Sequence, residues 1–196
     1  MPQDLPRAPL LLASASPRRL ELLKQIGAAP DQVDPAEIEE APGPKETPRV
    51  HALRLAREKA RTVAMRHPDS FVLAADTVVS VGRRILPKAQ TLDEARGCLA
   101  LLSGRAHRVN TAVALVAPGG REAARLVETR LHVKRLTPQE IDAYLQSGEW
   151  RGKAGGYAIQ GRAGAFILDL NGSYSAVVGL PLYETVCLLQ GLGWRG

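Results

Sequence analysis

The stretch from Leu10 to Leu23 reads LLLASASPRRLELL, an apolar strand followed at once by a helix start. Pro17 suits the first helical position and Ser16 the cap before it, and the leucines after the two arginines form an apolar helix face. A helix that begins there directs unpaired N–H groups and the positive end of its dipole towards Ser14 and Ser16. The stretch predicts a phosphate site at this corner, although taken alone it also suits a surface helix with solvated arginines.

Length and composition favour one small domain. The chain has 196 residues, of which 45% are hydrophobic, so we expect a single domain over residues 1–196 with its own core. No run is long enough to cross a membrane, and Met1–Arg7 lacks the order of a secretion signal, so we expect a cytoplasmic protein without membrane contact. Cys98 and Cys187 both follow helical patterns among leucines, which predicts two buried free thiols.

The net charge of +6 raises the question of a nucleic-acid partner. The basic residues are spread along the chain, aromatic residues make up only 4%, and no known nucleic-acid-binding motif is present. We therefore expect no stable complex with nucleic acid. A small polyanionic substrate explains the same sign of charge.

Hydrophobic periodicity predicts alternating strands and helices. Capping-box spacing at Thr91 and Thr137 predicts two helix starts. Thr47-Pro48 predicts a third, with an apolar stripe at Val50, Leu53, Ala56, Ala60 and Val63. The remaining predicted elements are strands at 71–75, 78–81 and 165–168, a hairpin of strands 106–117 and 124–134, and a helix over 181–192. Because the hairpin is antiparallel, we expect an α/β fold, with α+β as the alternative, built on a mixed twisted sheet with flanking helices.

Asp76 is the first polar residue after the apolar run Phe71–Ala75, so we expect it where a buried strand ends. Such a carboxylate either caps its own turn or serves as a metal ligand or general base. Magnesium or manganese would suit its oxygen atoms and would bridge to phosphate. Thr77 would add a hydroxyl contact.

Other candidate residues are open to two interpretations. Glu40 stands in an acidic loop with Glu37 and Glu39 and is either solvated or completes a metal site. Lys59 and Lys88 are either solvated or face the same site. The segment Gly152–Gly161 is too rich in glycine for a regular element, which allows close approach to a ligand.

Taken in order, these segments resemble the Maf family of nucleotide pyrophosphatases, also named septum formation inhibitors. The resemblance covers nearly the whole chain and rests on six motifs: Ser14–Arg19 followed by Glu21-Leu22-Leu23, Arg57–Ala60, Ala75-Asp76-Thr77, Leu102–Arg105 with His107 and Thr111, Lys153–Gly161, and Gly179–Leu182. One motif departs from the family pattern, because Pro87-Lys88-Ala89 stands where the family usually has Gly-Lys-Pro. Proline at 87 fixes φ and removes an N–H donor.

The resemblance implies a Maf and ITPase-like fold of two lobes around a cleft, and hydrolysis of a nucleoside triphosphate to its monophosphate and pyrophosphate with Mg or Mn. It implies a catalytic set of Asp76, Glu40, Lys59 and Lys88, with Asp76 as the proton acceptor or, together with Glu40, as a metal ligand. It implies substrate contacts from Ser14, Ser16, Arg18, Arg19, Thr77, Arg105, Lys153 and Gln160.

Within that set, Arg18, Thr77 and Gln160 match the specificity positions of the family branch that acts on dTTP and UTP. Modified pyrimidine triphosphates are a second substrate class to consider, in a house-cleaning role. The resemblance leaves a homodimer as one option for the oligomeric state. The alternative from another class is a non-catalytic regulator of septum formation that binds a protein or nucleic acid.

Overall fold

The computed structural model describes residues 7–196, so the segment 1–6, on which the prediction about a secretion signal rests, lies outside it. The strands are β1 (Leu10–Leu12), β2 (Gln32–Val33), β3 (Phe71–Val81), β4 (Arg84–Ile85), β5 (Ala106–Val116), β6 (Glu122–Val133) and β7 (Ile167–Asn171). The helices are α1 (Pro17–Gln25), α2 (Pro48–Ala64), α3 (Leu92–Leu102), α4 (Pro138–Gln146), α5 (Tyr174–Val178) and α6 (Leu182–Leu192), with a 3-10 helix at Arg162–Phe166. None of these helices is long and apolar enough to cross a membrane.

The strands form one mixed sheet in the order β2-β1-β3-β5-β6-β7, with β4 added to the edge of β3. β1 runs parallel to both β2 and β3, whereas all other neighbours pair antiparallel. The predicted hairpin is β5 and β6, paired from Ala106–His132 to Val116–Glu122. The predicted α/β class with a mixed sheet and flanking helices is confirmed.

The difference in length between β1 and β3 opens the sheet. On β3, β1 pairs only with the first three residues, Phe71–Leu73. The last hydrogen bond between these two chain segments runs from Ala13 N to Leu73 O at 2.8 Å. Further along, β4 pairs with Ser80 and Val81. Among the described residues, the β3 edge between these two ladders has no strand partner, so a cleft forms beyond the carboxyl end of β1.

Helix α2 packs on one face of β3 and β5 through small side chains. Ala56 and Ala60 are fully buried against Ala74 and Ala112, and this pairing of alanines lets the helix approach the sheet closely. The predicted stripe is correct at Ala56, Ala60 and Val63 but wrong at its start, because Val50 is 56% exposed. Thr47 caps the helix by accepting a hydrogen bond from Val50 N.

Two further clusters of buried residues define the two sides of the cleft. Helices α1 and α6 pack on the other face of β1, β3 and β5 around Leu23, Leu73 and Leu189. Helices α3 and α4 pack on the far half of the sheet around Leu102 and Trp150. The two predicted lobes correspond to these two groups of elements.

Local signals located most helix starts but missed several details. Both predicted capping boxes, at Thr91 and Thr137, are present. The strand predicted at 165–168 is shifted to Ile167–Asn171 because a 3-10 helix precedes it, and α5 was not predicted. Cys98 is buried as expected, whereas the prediction for Cys187 is wrong, because it lies on the exposed side of α6.

Gly155 of the glycine-rich segment packs tightly against Val79 of β3. A Cβ atom added there would lie 2.8 Å from Val79 Cγ1, and its φ of +68° already disfavours a side chain. Gly152 has a similar φ of +64° with no atom within 4 Å of an added Cβ. A comparison of substitutions at these two glycines therefore separates the effect of backbone strain from the effect of close packing.

We expect Gly152→Ala to lower the free energy of unfolding by about 1 kcal/mol through backbone strain alone. Gly155→Ala adds overpacking against Val79, which costs roughly 1–3 kcal/mol more. Urea denaturation of the two variants measures the difference. An equal loss of unfolding free energy in the two variants would show that the Val79 side chain moves aside without a cost in stability.

Candidate functional site

The opening beside β3 leads into a cavity of about 430 Å³ between the two lobes. Its wall is formed by the β1–α1 corner, the acidic loop before α2, the glycine-rich segment and the stretch that ends at Gly179. Ten of the twelve predicted site residues line it: Ser14, Ser16, Arg18, Arg19, Glu40, Lys59, Thr77, Lys88, Lys153 and Gln160. The structure therefore brings together residues that are up to 146 positions apart in the sequence.

Two predicted residues stand apart from the cavity wall. Asp76 lies just behind it, joined to the wall through Lys59. Arg105 is exposed, follows the end of α3 and does not line the cavity. The predicted contact of Arg105 with substrate stays a prediction; in the structure its backbone N–H donates to Leu102 O and its carbonyl accepts from Val133 N.

A row of alternating charges connects the floor of the cleft to its rim. Asp76, 2% exposed, accepts a hydrogen bond from Lys59 Nζ at 2.7 Å. The same Nζ lies 2.6 Å from Glu40 Oε1, and Lys88 pairs with the other oxygen of Glu40. Burial would raise the pKa of Glu40, but the bonds from the two lysines outweigh it and lower that pKa to about 2. Glu40 is therefore ionised at neutral pH.

The predicted position of Asp76 at a strand end is wrong. β3 continues without a break from Phe71 to Val81, and Asp76 pairs with Ala112 in its middle. The strand that ends here is β1, and its early end exposes the edge of β3 at Asp76. Successive residues of a strand point to opposite faces, so Asp76 faces α2 while Thr77 lines the cavity.

Asp76 and Glu40 form a donor set that suits a magnesium-like cation. Both are carboxylates, and both already converge on one positive centre, Lys59 Nζ. Within residues 7–196, no cluster of three or more His, Cys, Asp and Glu side chains is present. Two carboxylates are nevertheless the usual protein contribution to a magnesium site that takes its other ligands from water and substrate phosphate.

The two arginines of the first motif have different surroundings. Arg19 donates from Nε to Gly179 O at 2.8 Å, from Nη1 to Ser14 Oγ at 2.9 Å and from Nη2 to Thr77 Oγ1 at 3.4 Å. In the described part of the chain, Arg18 makes one hydrogen bond, from Nε to Val178 O at 3.4 Å, and no ion pair. Burial lowers the pKa of both guanidinium groups. Arg19 holds the corner together, and Arg18 is available to a ligand.

Ser16 marks the start of α1 through its backbone and not through its side chain. It has extended φ and ψ angles and makes no side-chain cap bond. The backbone N–H of Ser16 instead donates to Ser14 Oγ at 3.3 Å. Its hydroxyl therefore remains available at the cavity wall, beside the positive end of the helix dipole.

The loop of Lys88 pairs with the glycine-rich segment by main-chain hydrogen bonds. Gly155 N donates to Pro87 O at 2.9 Å, Ala89 N to Lys153 O at 3.1 Å and Gly152 N to Ala89 O at 2.8 Å. Pro87 thus takes part as an acceptor, and this pairing does not need the N–H that proline lacks. The loop places Lys88 against Glu40 despite the departure from the usual Gly-Lys-Pro.

His107 and Tyr157 anchor the other end of the glycine-rich segment. His107 is buried on β5, and its Nε2 lies 2.7 Å from Tyr157 Oη. Burial lowers the pKa of His107 to about 4 and raises that of Tyr157 well above its usual range. Tyr157 to Gln160 line the cavity, so this neutral pair fixes the segment that carries Gln160.

Sequence reasoning missed the role of the carbonyl groups at Val178 and Gly179. α5 ends at Val178, and Gly179 adopts a φ of +138°, which turns the chain towards the arginines of α1. The motif Gly179–Leu182 marked this segment but carried no polar side chain to indicate a site. A main-chain acceptor leaves no signal in the residue type.

The fold is shared with a known structure. The HAM1 protein of Coxiella burnetii aligns with a TM-score of 0.52 and 16% identity, over 94% of this chain and 99% of that one. The chain is thus an α/β protein that shares the fold of that structure, with a mixed sheet opened by a cleft.

Sequence comparison gives the family within that class. Residues 9–192 match the family model described as Maf-like protein. A dTTP/UTP pyrophosphatase of Caulobacter vibrioides is 67% identical over 186 residues, which cover 95% of this chain and 96% of that protein. A dTTP/UTP pyrophosphatase of Maricaulis maris is 63% identical over 193 residues, which cover 97% of this chain and 91% of that protein. The chain belongs to the Maf-like protein family.

The buried His107 predicts a defined dependence of stability on pH. Its pKa falls from 6.5 in the unfolded chain to about 4 in the fold, so its contribution is complete above 6.5 and is lost as pH falls towards 4. Between about pH 7 and about pH 5, the free energy of unfolding of the unmodified protein should fall by about 2 kcal/mol. This fall should be absent in His107→Gln. Urea denaturation at both pH values measures this loss.

His132→Gln is the matched control, because His132 is partly exposed on β6. It should retain the pH dependence of the unmodified protein. An unchanged pH dependence in His107→Gln would show that His107 is not the titrating group.

Proposed function

We propose that this protein is a nucleoside triphosphate pyrophosphatase that hydrolyses dTTP and UTP to the monophosphate and pyrophosphate. The observation that carries the proposal is the row Asp76, Lys59, Glu40 and Lys88 at the floor of a cleft whose walls add further cations. A binding protein has no need for two carboxylates that alternate with two lysines in one row. Relatives named dTTP/UTP pyrophosphatase at 67% and 63% identity support the substrate class.

In the proposed reaction, water attacks the α-phosphorus and the bond from that atom to the bridging oxygen of the β-phosphate breaks. Pyrophosphate leaves with the electron pair, and the proton of the water passes to a carboxylate. Asp76 or Glu40 accepts that proton, and Lys59 holds both carboxylates in place through its bonds to them. Lys88, Arg18 and Lys153 stabilise the negative charge that develops on the leaving group.

The corner at Ser14 and Ser16 is proposed to bind phosphate oxygens. Both serines line the cavity beside the first turn of α1, where N–H groups and hydroxyls favour an anion. Arg19 lines the same wall and supports this corner through its bond to Ser14 Oγ.

Gln160 and Thr77 are proposed to distinguish the base. Gln160 is exposed at the cavity wall and offers both a donor and an acceptor, as an amide must to read the edge of a pyrimidine. Thr77 Oγ1 is held between Arg19 and Thr111 Oγ1, which donates to it at 3.2 Å. Modified pyrimidine triphosphates remain a second substrate class for the same residues.

Asp76 and Glu40 would hold a magnesium or manganese ion, which would supply charge neutralisation for the triphosphate when bound. We further propose a cytoplasmic enzyme of one domain over residues 1–196, possible as a monomer or a homodimer, without a stable nucleic-acid complex. One continuous sheet under both lobes supports the single domain.

Pyrophosphate release tests the proposed function. We expect release from dTTP and UTP with Mg or Mn, loss of release when EDTA is added, and much slower release from CTP, GTP and 7-methyl-GTP. Adding 5-methyl-UTP and pseudo-UTP tests the modified pyrimidines. No release from any nucleotide would favour the non-catalytic regulator of septum formation.

We expect Asp76→Asn to lower kcat for dTTP by at least about a hundredfold, because the amide neither accepts a proton nor binds a metal ion well. Asp69→Asn is the matched control, since Asp69 is exposed in the turn before β3. Steady-state kinetics and melting temperature of both variants separate catalysis from folding. Near-normal turnover of a folded Asp76→Asn protein would remove Asp76 from the catalytic set.

A further inference from the structure

The segment 34–47, between β2 and α2, brings Glu40 to the cleft without forming a helix or a strand. Half of its residues are exposed, and its contribution to the hydrophobic clusters of the described residues is Ala36. A segment with so little apolar burial opens easily unless polar contacts hold it. The position of Glu40 therefore depends on those contacts.

Glu46 is the centre of the polar contacts in this segment. Its side chain is 8% exposed and accepts four hydrogen bonds. Arg54 of α2 donates two of them, from Nε to Oε1 at 2.8 Å and from Nη2 to Oε2 at 2.9 Å. Gly43 N donates at 2.8 Å, and His51 Nδ1 lies 2.9 Å from Oε2. Such a paired arginine and carboxylate fixes orientation as well as distance.

Arg54 links this centre directly to the residue after Glu40. Its Nη2 also donates to Ala41 O at 3.1 Å, while its Nη1 donates to Glu58 at 3.0 Å. The guanidinium thus joins both ends of the turn 41–46 to one position on α2. Lys59, which bonds Glu40, lies five residues further along the same helix.

The turn itself contains a conformation that needs support. Lys45 has a φ of +60°, which a residue with a side chain rarely adopts. The adjacent Glu46 carboxylate bonds Gly43 N across the turn and is ionised, since hydrogen bonds from Arg54 lower its pKa to about 2. Without this carboxylate, Lys45 has no reason to remain in the left-handed region.

We propose that Arg54 and Glu46 are positioning residues that hold the segment 40–46 against α2 and so present Glu40 to Lys59 and Lys88. They touch neither the cavity nor its ligands, and they act only through the main chain beside Glu40. The kinetic consequence rests on the proposed function, but the structural consequence does not. Displacement of a catalytic group by about 1 Å is enough to slow a reaction by about a hundredfold.

The test uses Arg54→Ala, Glu46→Gln and Arg54→Lys in the full chain. Arg57→Ala is the matched control, because Arg57 lies one turn further along α2 and pairs with Glu122 on the surface. We expect Arg54→Ala and Glu46→Gln to lower kcat for dTTP by about ten- to a hundredfold with a smaller change in KM. Arg54→Lys should recover part of the loss, since lysine restores the charge but not the paired bonds.

A double-mutant cycle distinguishes positioning from general damage. If Arg54 acts through Glu40, Arg54→Ala should have little further effect on kcat in a Glu40→Gln background. If the double variant loses kcat by the product of the factors found for Arg54→Ala and Glu40→Gln alone, the proposal is overturned. An Arg54→Ala protein or a Glu46→Gln protein with the kcat of the unmodified enzyme would also overturn it.

Hydrogen exchange tests the proposal by a measurement that does not depend on enzymatic activity. Amides of residues 38–46 should exchange at least about tenfold faster in Arg54→Ala and Glu46→Gln than in Arg57→Ala, with β3 unchanged. Unchanged exchange in 38–46 would overturn the proposal even if the kinetics changed. If no nucleotide is hydrolysed by the unmodified protein, the proposed function fails, and the exchange result still decides whether these residues hold the segment.

Discussion

The buried ion pair between Lys59 and Asp76 is the constraint on which the site depends. A carboxylate in the middle of a central strand is costly unless a cation meets it, and α2 supplies that cation at 2.7 Å. The alanine contacts between α2 and the sheet allow the approach that this bond requires. Glu40 then binds the same ammonium, so the acidic loop must lie over the helix.

The second constraint is the short strand β1. Had it continued alongside β3, the edge near Asp76 and Thr77 would have been paired and closed. Because it ends at Leu12, the chain turns into the serine and arginine corner at the point where the sheet opens. The serine and arginine corner and Glu40 therefore line the same gap, with Asp76 behind Lys59. Arg19 closes the base of the gap by bonding three separate segments.

Sequence reasoning succeeded where the signal was local. Hydroxyl caps at Thr47, Thr91 and Thr137 marked three helix starts, because a cap depends on neighbours three residues away. It failed where the partner was distant. The polar pair Asp76-Thr77 suggested the end of a strand, yet β3 continues because β5 pairs with it on one side and Lys59 neutralises the carboxylate. The residue types at Ser103–Arg105 gave no sign that this turn lies outside the cavity wall.

By itself, the sequence determined most of the elements, the mixed sheet and the identity of ten residues that line the cavity, because periodicity, caps and motif order are properties of neighbours along the chain. Only the tertiary structure decided what each charge does. It committed Arg19 to the protein and left Arg18 open to a ligand, placed Asp76 behind Lys59, and made Glu46 the anchor of the loop that carries Glu40. The reason is physical: the role of a charged group depends on its partners and its burial, and both are set by segments remote in sequence.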